Sequence, residues 1–300
     1  MAAVGRFTCP HKRNRIRATM PPAKTKKRAK KNQLSPLRYP GGKIWLRPWI
    51  RQWLSKPVDR LVECFGGGAN VTLTAIWEGL ATRATLIELD PDVASVWKAI
   101  LNGKASWLSN KIDVFKPTRK NILAELDISA RAVHTRAWKT LLRNRVSHGG
   151  ILAPGAGLLK RGEDDNGIRS RWYPEALMSR IEEISKIRSK IKFIEGDGLA
   201  WLEKYKGKPG SDTVAFFIDA PYATVGERLY TYGEIDHERL FRVAAKLPGR
   251  LLMTYHEARE IRKLAKKFKF EIKPVEMLNR QNAAKTELLI SKNFDWLKKP

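Results

Sequence analysis

The stretch VDRLVECFGGGAN, Val58 to Asn70, decides how the rest of the chain is read. A short run rich in apolar and β-branched residues closes on Glu63, glycines come next, and a helical pattern opens at once. That form belongs to a buried parallel strand feeding a helix. Four more runs repeat it: ATLIE (Ala84–Glu88), IKFIE (Ile191–Glu195), VAFFID (Val214–Asp219) and RLLMTY (Arg250–Tyr255). Helical patterns are read at Ala69–Ala81, Pro91–Leu101, Leu177–Ile187, Asp236–Lys246 and Ala258–Lys267, and two closing strands at Lys269–Val275 and Thr286–Ser291. Such alternation predicts an α/β protein built on a doubly wound, mainly parallel sheet of seven strands.

One stretch breaks the alternation. Residues 110–175 hold helical pieces and then a glycine-rich run, SHGGILAPGAGLLKRGEDDNG, and are read as an inserted, largely helical lobe. The sheet domain would then comprise 34–109 and 176–300, preceded by a basic, disordered tail over 1–33. Trp45, Trp49 and Trp53 recur every four residues and mark a packing stripe on one helix face.

Charge narrows the partners. The 300 residues carry 58 Lys and Arg against 30 Asp and Glu, a net +28. The first acidic residue is Asp59, so the first 58 residues hold sixteen basic groups and no acid. Further basic runs lie between Lys116 and Arg161 and between Arg262 and Phe270. Three runs on one chain favour a nucleic-acid partner over a merely wet surface. The tail itself reads either as a solubiliser or as an arm that tracks phosphates, and Met20 is a second candidate start. No secretory signal and no membrane span are expected, and two cysteines suit a cytoplasmic setting.

Four motifs carry chemistry. ECFGGGAN (Glu63–Asn70) reads either as a generic tight turn or as a loop whose backbone approaches a ligand such as a phosphate, and it lacks the Gly-Lys-Ser/Thr of a Walker loop. IELDPDV offers Glu88 at a strand end, where an acid accepts ribose hydroxyls, with Asp90 as a helix N-cap. Asp197 of EGD is open to two readings, a plain turn or a contact to an adenine amino group. FFIDAPYA (Phe216–Ala223) is the most specific, because an apolar strand delivers an acid, then Ala-Pro, then an aromatic. An aromatic exocyclic amine is a poor nucleophile, since its lone pair is delocalised into the ring. Hydrogen bonds to the Asp219 carboxylate and the Ala220 carbonyl would draw the nitrogen toward sp³. Pro221 would stiffen the turn, and Tyr222 would stack on a base swung out of its helix.

Through these motifs the chain resembles the Dam-like (D12 class) adenine-N6 DNA methyltransferases from about Leu34 to Phe294. SPLRYPGGK (Ser35–Lys43) is similar to that family's N-terminal cofactor motif, ECFGGGAN to its methionine-binding loop, DAPY to its DPPY motif, and the closing TELLISKNF to its last strand. NRVSHGG and RWYPEAL are similar to elements flanking its recognition insert. The resemblance implies a Rossmann-like, class I methyltransferase fold with the insert as target-recognition lobe. It implies S-adenosylmethionine as cofactor, touched by Tyr39, Lys43, Glu63, Phe65, Gly67, Glu88, Asp197 and Asp219, and catalysis by Asp219, Ala220, Pro221 and Tyr222. The implied activity is site-specific adenine-N6 methylation of double-stranded DNA by base flipping. Two departures stand out: Ala220 replaces the usual proline and Ala69 a usual glycine.

Base contacts are sought among Arg136, Lys139, Arg143, Asn144, Arg145 and His148. A monomer or homodimer, restriction–modification with a cognate endonuclease, and nucleoid association belong to the same expectation. Rival readings are cytosine-N4 methylation, adenine-N6 methylation of RNA, and a catalytically lapsed DNA-binding protein. Cytosine-C5 chemistry is excluded, because Cys9 and Cys64 do not follow proline. Zinc deamination is excluded too, since neither Cys-x-x-Cys nor His-x-Glu occurs and no metal site is expected.

Overall fold

Each of the seven runs becomes a strand of one sheet: β1 (Val58–Cys64), β2 (Ala81–Glu88), β3 (Ile191–Glu195), β4 (Val214–Ile218), β5 (Arg250–His256), β6 (Glu271–Leu278) and β7 (Ala284–Ser291). The computed structural model describes residues 34–38, 42–153, 155–160, 167–205, 213–221, 235–278 and 284–297. The order across the sheet is β3-β2-β1-β4-β5-β7-β6. Pairings from β3 through β5 are parallel, while β7 runs antiparallel to both β5 and β6. This is the α/β, Rossmann-like, mainly parallel sheet of seven strands that the alternation predicts.

Helices cover both faces of the sheet: α1 (Arg47–Trp53), α2 (Asn70–Trp77), α3 (Pro91–Ala99), α4 (Ala105–Val114), α5 (Arg119–Asp127), α6 (Val133–Val146), α7 (Pro174–Lys186), α8 (Gly198–Lys204), α9 (His237–Lys246) and α10 (Arg259–Lys267). Two apolar clusters result, because neighbouring strand residues point to opposite faces. Leu61 and Phe217 join one cluster, Val62 and Phe216 the other. Trp53 is buried in the first, with Trp45 and Trp49 packed against it, so the tryptophan spacing is a packing stripe.

Among the boundaries that differ from the sequence reading, two have a clear backbone cause. The helix read as reaching Ala81 stops at Trp77, because Gly79 takes φ +69° and the chain closes with Leu80 N–H to Ala75 O at 2.8 Å and Gly79 N–H to Ile76 O at 3.4 Å. Such a glycine closure satisfies the last carbonyls and frees Ala81 to start β2. Beyond α3, a π turn over Ile100–Lys104, with Gly103 at φ +85°, carries the chain into α4.

The insert is helical and shares the main core. Trp138, Leu141, Leu142 and Val146 of α6 lie in the same cluster as Val93, Val96 and Trp97 of α3. Phe115, Trp138 and Trp172 meet edge to face, with centroids 5.1–6.1 Å apart. Among the described residues no helix is long and apolar enough to cross a membrane.

Candidate active site

Strands β1 and β4 lie side by side where the strand order reverses, and Cys64 is in register with Ile218. A crevice at the carboxyl ends of such a pair is the standard ligand position of open α/β sheets. This register brings the glycine loop at the end of β1 and Asp219 at the end of β4 to one edge of the sheet.

The loop after β1 is tightly built. Phe65 and Ala69 hold φ of +61° and +48°, and Gly67 holds +44°. Left-handed φ at residues bearing a Cβ costs on the order of 1 kcal/mol each, which the surroundings must offset. They do so by direct ties. Gly66 N–H donates to Ile87 O at 2.8 Å, Gly67 N–H to Glu88 Oε2 at 2.6 Å, and Trp97 Nε1–H to Gly67 O at 2.9 Å. A Cβ on Gly66 would meet Leu86 Cδ1 at 2.8 Å and Ile87 O at 3.1 Å, so the loop lies tight against β2.

Two buried carboxylates flank the loop. Glu63 accepts from Thr72 N–H at 2.6 Å, which links the end of β1 to the first turn of α2. Burial pushes its carboxyl up to about 7, with Asp219 adding to the rise and the Thr72 bond opposing it. Glu88 accepts from Gly67 N–H and, at 2.8 Å, from Asp90 N–H, and burial raises it also to about 7. Asp90 caps α3 by accepting from Asp92 N–H at 2.8 Å, the role its sequence predicts. Asp197 caps α8 by accepting from Leu199 N–H at 2.8 Å, and the adjoining Gly198 lies against Cys64. The Cys64 thiol is fully buried and its pKa is pushed far up by that burial, so it is structural.

Asp219 leaves the end of β4 with about a quarter of its side chain exposed. Its Oδ1 receives Lys43 Nζ at 2.8 Å and Thr254 Oγ1 at 2.7 Å. Burial raises its pKa, while Lys43 and Thr254 pull the other way. Ala220 is buried behind it and Pro221 is half-buried. Across the edge, Glu287 of β7 faces His256 of β5 at 3.5 Å. The site therefore gathers acceptors at the carboxyl ends of the strands with one buried ammonium, Lys43, fixed on Asp219.

The structure brings together Lys43, Glu63, Phe65, Gly67, Glu88, Asp219 and Ala220, with Asp197 one loop away. Tyr39 and Tyr222 lie outside the described residues. Sequence reasoning does not single out Thr254, Trp97 or Asn70. Neither Thr254 nor Trp97 leaves a local signal: Thr254 sits beside Tyr255 and His256 at the end of β5, and Trp97 acts from a distant helix.

The basic candidates divide. Arg136, Lys139 and Arg143 share one face of α6 and, with Asp92 and Thr140, line a cleft of about 120 Å³. Arg136 lies 3.8 Å from Asp92, Lys139 donates to Ile128 O, and His148 is exposed on the next turn. Asn144 and Arg145 must be corrected: they are buried and bonded internally, so they do not present base-reading groups. Asn144 Oδ1 accepts from Arg38 N–H at 2.8 Å, while its Nδ2 donates to Arg38 O at 3.0 Å and Gly150 O at 2.8 Å. Arg145 donates to Pro36 O, and burial lowers its pKa to about 9. Sequence reasoning misplaces them because a polar pair at the end of a basic helix looks like a surface pair. No cluster of metal-binding side chains occurs among the described residues.

No family model and no curated protein matches the chain. Among solved structures it is similar to a Pyrococcus horikoshii protein assigned as an RNA methyltransferase, at 9% identity over 85% of this chain and 84% of that one, with a TM-score of 0.38. A SAM-dependent methyltransferase from Agrobacterium tumefaciens is similar at 10% identity over 83% and 60%, with a TM-score of 0.37. The tRNA methyltransferase TrmK of B. subtilis is similar at 11% identity over 81% and 64%, with a TM-score of 0.35.

Proposed function

We propose that this chain is an S-adenosylmethionine-dependent methyltransferase acting on the N6 amino group of adenine in duplex DNA. The observation that carries the reading is the Asp219 carboxylate at the carboxyl end of β4, backed by Ala220-Pro221 and held by Lys43 and Thr254. A fixed acceptor beside a backbone carbonyl is what an exocyclic amine needs to lose its planarity and aim a lone pair.

The residues around the loop fit the cofactor. Asn70 Oδ1 is buried without a hydrogen-bond partner beside the glycine loop, and Glu63 is a buried acceptor near it. Two such acceptors suit a methionine ammonium group. Each Glu88 oxygen accepts one backbone amide and retains a lone pair for a ribose hydroxyl. When bound, the cofactor supplies a sulfonium-activated methyl group. The chain's own part is positioning: Asp219 and the Ala220 carbonyl hold the amine hydrogens, and the loop fixes the approach. Removing translational and rotational freedom from two reactants in this way can supply several kcal/mol. The proton that the amine gives up passes to solvent through the open side of the site.

The +28 charge and the basic face of α6 supply the attraction to a phosphate backbone, with the insert as target-recognition lobe. Restriction–modification and the oligomeric state fall outside this reading. The test is transfer of labelled methyl to duplex DNA, then digestion and mass spectrometry of the nucleosides. N6-methyl-2′-deoxyadenosine is the expected product. N4-methylcytosine, or label only in RNA, would overturn the substrate assignment. Duplex binding without transfer would point to a lapsed enzyme.

A further inference from the structure

The C-terminal end of α6 grips the segment that delivers Lys43. Asn144 makes two bonds to the Arg38 backbone and a third to Gly150 O, and Arg145 donates to Pro36 O. Gly150 sits at φ +76°, and a Cβ there would come within 2.5 Å of Arg38 O. The contact therefore needs a glycine for both its conformation and its closeness. Leu37 is buried in the main cluster between the two gripped residues. An apolar side chain can settle in neighbouring positions at small cost. A side-chain amide that closes a two-bond ring on one residue's N–H and C=O fixes register. Five residues after Arg38 stands Lys43, buried and 2.8 Å from Asp219.

We propose that Asn144 is a positioning residue. It fixes the chain at Arg38 so that Lys43 stays on the Asp219 carboxylate, and so ties the insert helix carrying the Arg136–Lys139–Arg143 face to the reacting centre. The proposal rests on the methyltransferase reading only for the role of Asp219, because the clamp itself is read directly from contacts. Asn144 is the joint between the two regions: the basic face lies on the turns of α6 that lead up to it, and the ammonium stands five residues after its partner Arg38. The Asp form of this residue would keep the bond to Arg38 N–H and lose both donated bonds, so it gives a graded test.

The experiment is residue-resolved amine labelling of the full chain with acetic anhydride, read by mass spectrometry, in wild type, Asn144→Asp, Asn144→Ala and Gly150→Ala. Each protein is first checked for a cooperative thermal transition. Lys43, buried on Asp219, should label slowly in wild type. It should label several-fold faster in Asn144→Ala and in Gly150→Ala, and to an intermediate degree in Asn144→Asp, while Lys292 stays at its wild-type rate. In transfer assays the same variants should lose turnover by about 10- to 100-fold with little change in KM for duplex, as expected for misplacement rather than weakened binding. A Lys43 rate that stays at wild-type level in a folded Asn144 or Gly150 variant overturns the proposal. Labelling needs no substrate, so it still decides the matter if wild type transfers no methyl group at all, an outcome that would instead defeat the proposed function. If Asn144→Ala does not fold, Asn144→Asp and Gly150→Ala carry the same comparison.

Discussion

Trp97 donates its indole N–H to the carbonyl of Gly67, thirty residues earlier in the chain, at 2.9 Å. The ring is fully buried, so the bond is shielded from water, and it ties α3 to the loop on which the whole site depends. Replacing Trp97 with Phe keeps most of the apolar volume and leaves the Gly67 carbonyl without its indole donor. An unmet buried carbonyl costs about 1–3 kcal/mol. The expected outcome is a stability loss of that size in denaturant titration, together with weaker S-adenosylhomocysteine binding by calorimetry. Unchanged binding would mean that the loop holds its shape without the indole.

Glu63 sets a pH dependence whose sign is fixed. Its folded pKa of about 7 lies above its ordinary value of 4.5. Between those values the folded protein keeps a proton that the unfolded chain has released. This contribution to stability is therefore full below 4.5 and is lost as pH rises through about 7. For one group the loss is on the order of 3 kcal/mol. Glu63→Gln should flatten the fall in stability between about pH 5 and about pH 7 relative to wild type. Parallel curves for the two proteins would contradict the burial argument.

Lys43 holds down the pKa of Asp219 against the rise caused by burial. Asp219 must be ionised to accept hydrogens from an amine. The acid limb of the pH–rate profile should therefore move to higher pH in Lys43→Met, because the removed ammonium no longer favours the anion. A limb that stays in place would show that some other group controls it.

How far the sequence discloses all this depends on the range of the interactions. Strand runs such as VAFFID and the cap Asp90 are local, and the structure has them where the pattern does, whereas the capping role of Asp197 is not among its two sequence readings. Glu88 and Asp219 are legible as strand-end acids because each closes an apolar run and is followed at once by a turn signal. The pairing of Lys43 with Asp219 spans 176 residues and is seen only in the structure, since the resemblance implies no more than that each touches the cofactor. Thr254 and Trp97 act across strands and helices, and their sequence neighbourhoods say nothing of their partners. Asn144 and Arg145 mislead for the same reason: amphipathic spacing on α6 separates its faces, but the last turn folds inward against residues more than a hundred positions away.

Phosphate attraction should show as salt dependence. The tail over 1–33 carries eleven basic residues, and Arg136, Lys139 and Arg143 form one face. Each cation–phosphate pair removed should reduce the slope of log affinity against log salt by about 1. Deleting the tail, and separately changing the three α6 residues to Ala, should each lower that slope for a duplex oligonucleotide measured by fluorescence anisotropy. A slope unmoved by either change would remove that element from the DNA-binding surface.

The most direct measurement compares wild type with Asp219→Ala in single-turnover methyl transfer to adenine-containing duplex, with cofactor and DNA binding measured in parallel. Wild type should yield N6-methyladenine. The variant should lose transfer by several orders of magnitude while still binding duplex, since the missing carboxylate orients the amine and does not grip phosphate. Near-normal transfer by Asp219→Ala, or a wild type that binds both ligands and leaves adenine untouched, would contradict the assignment.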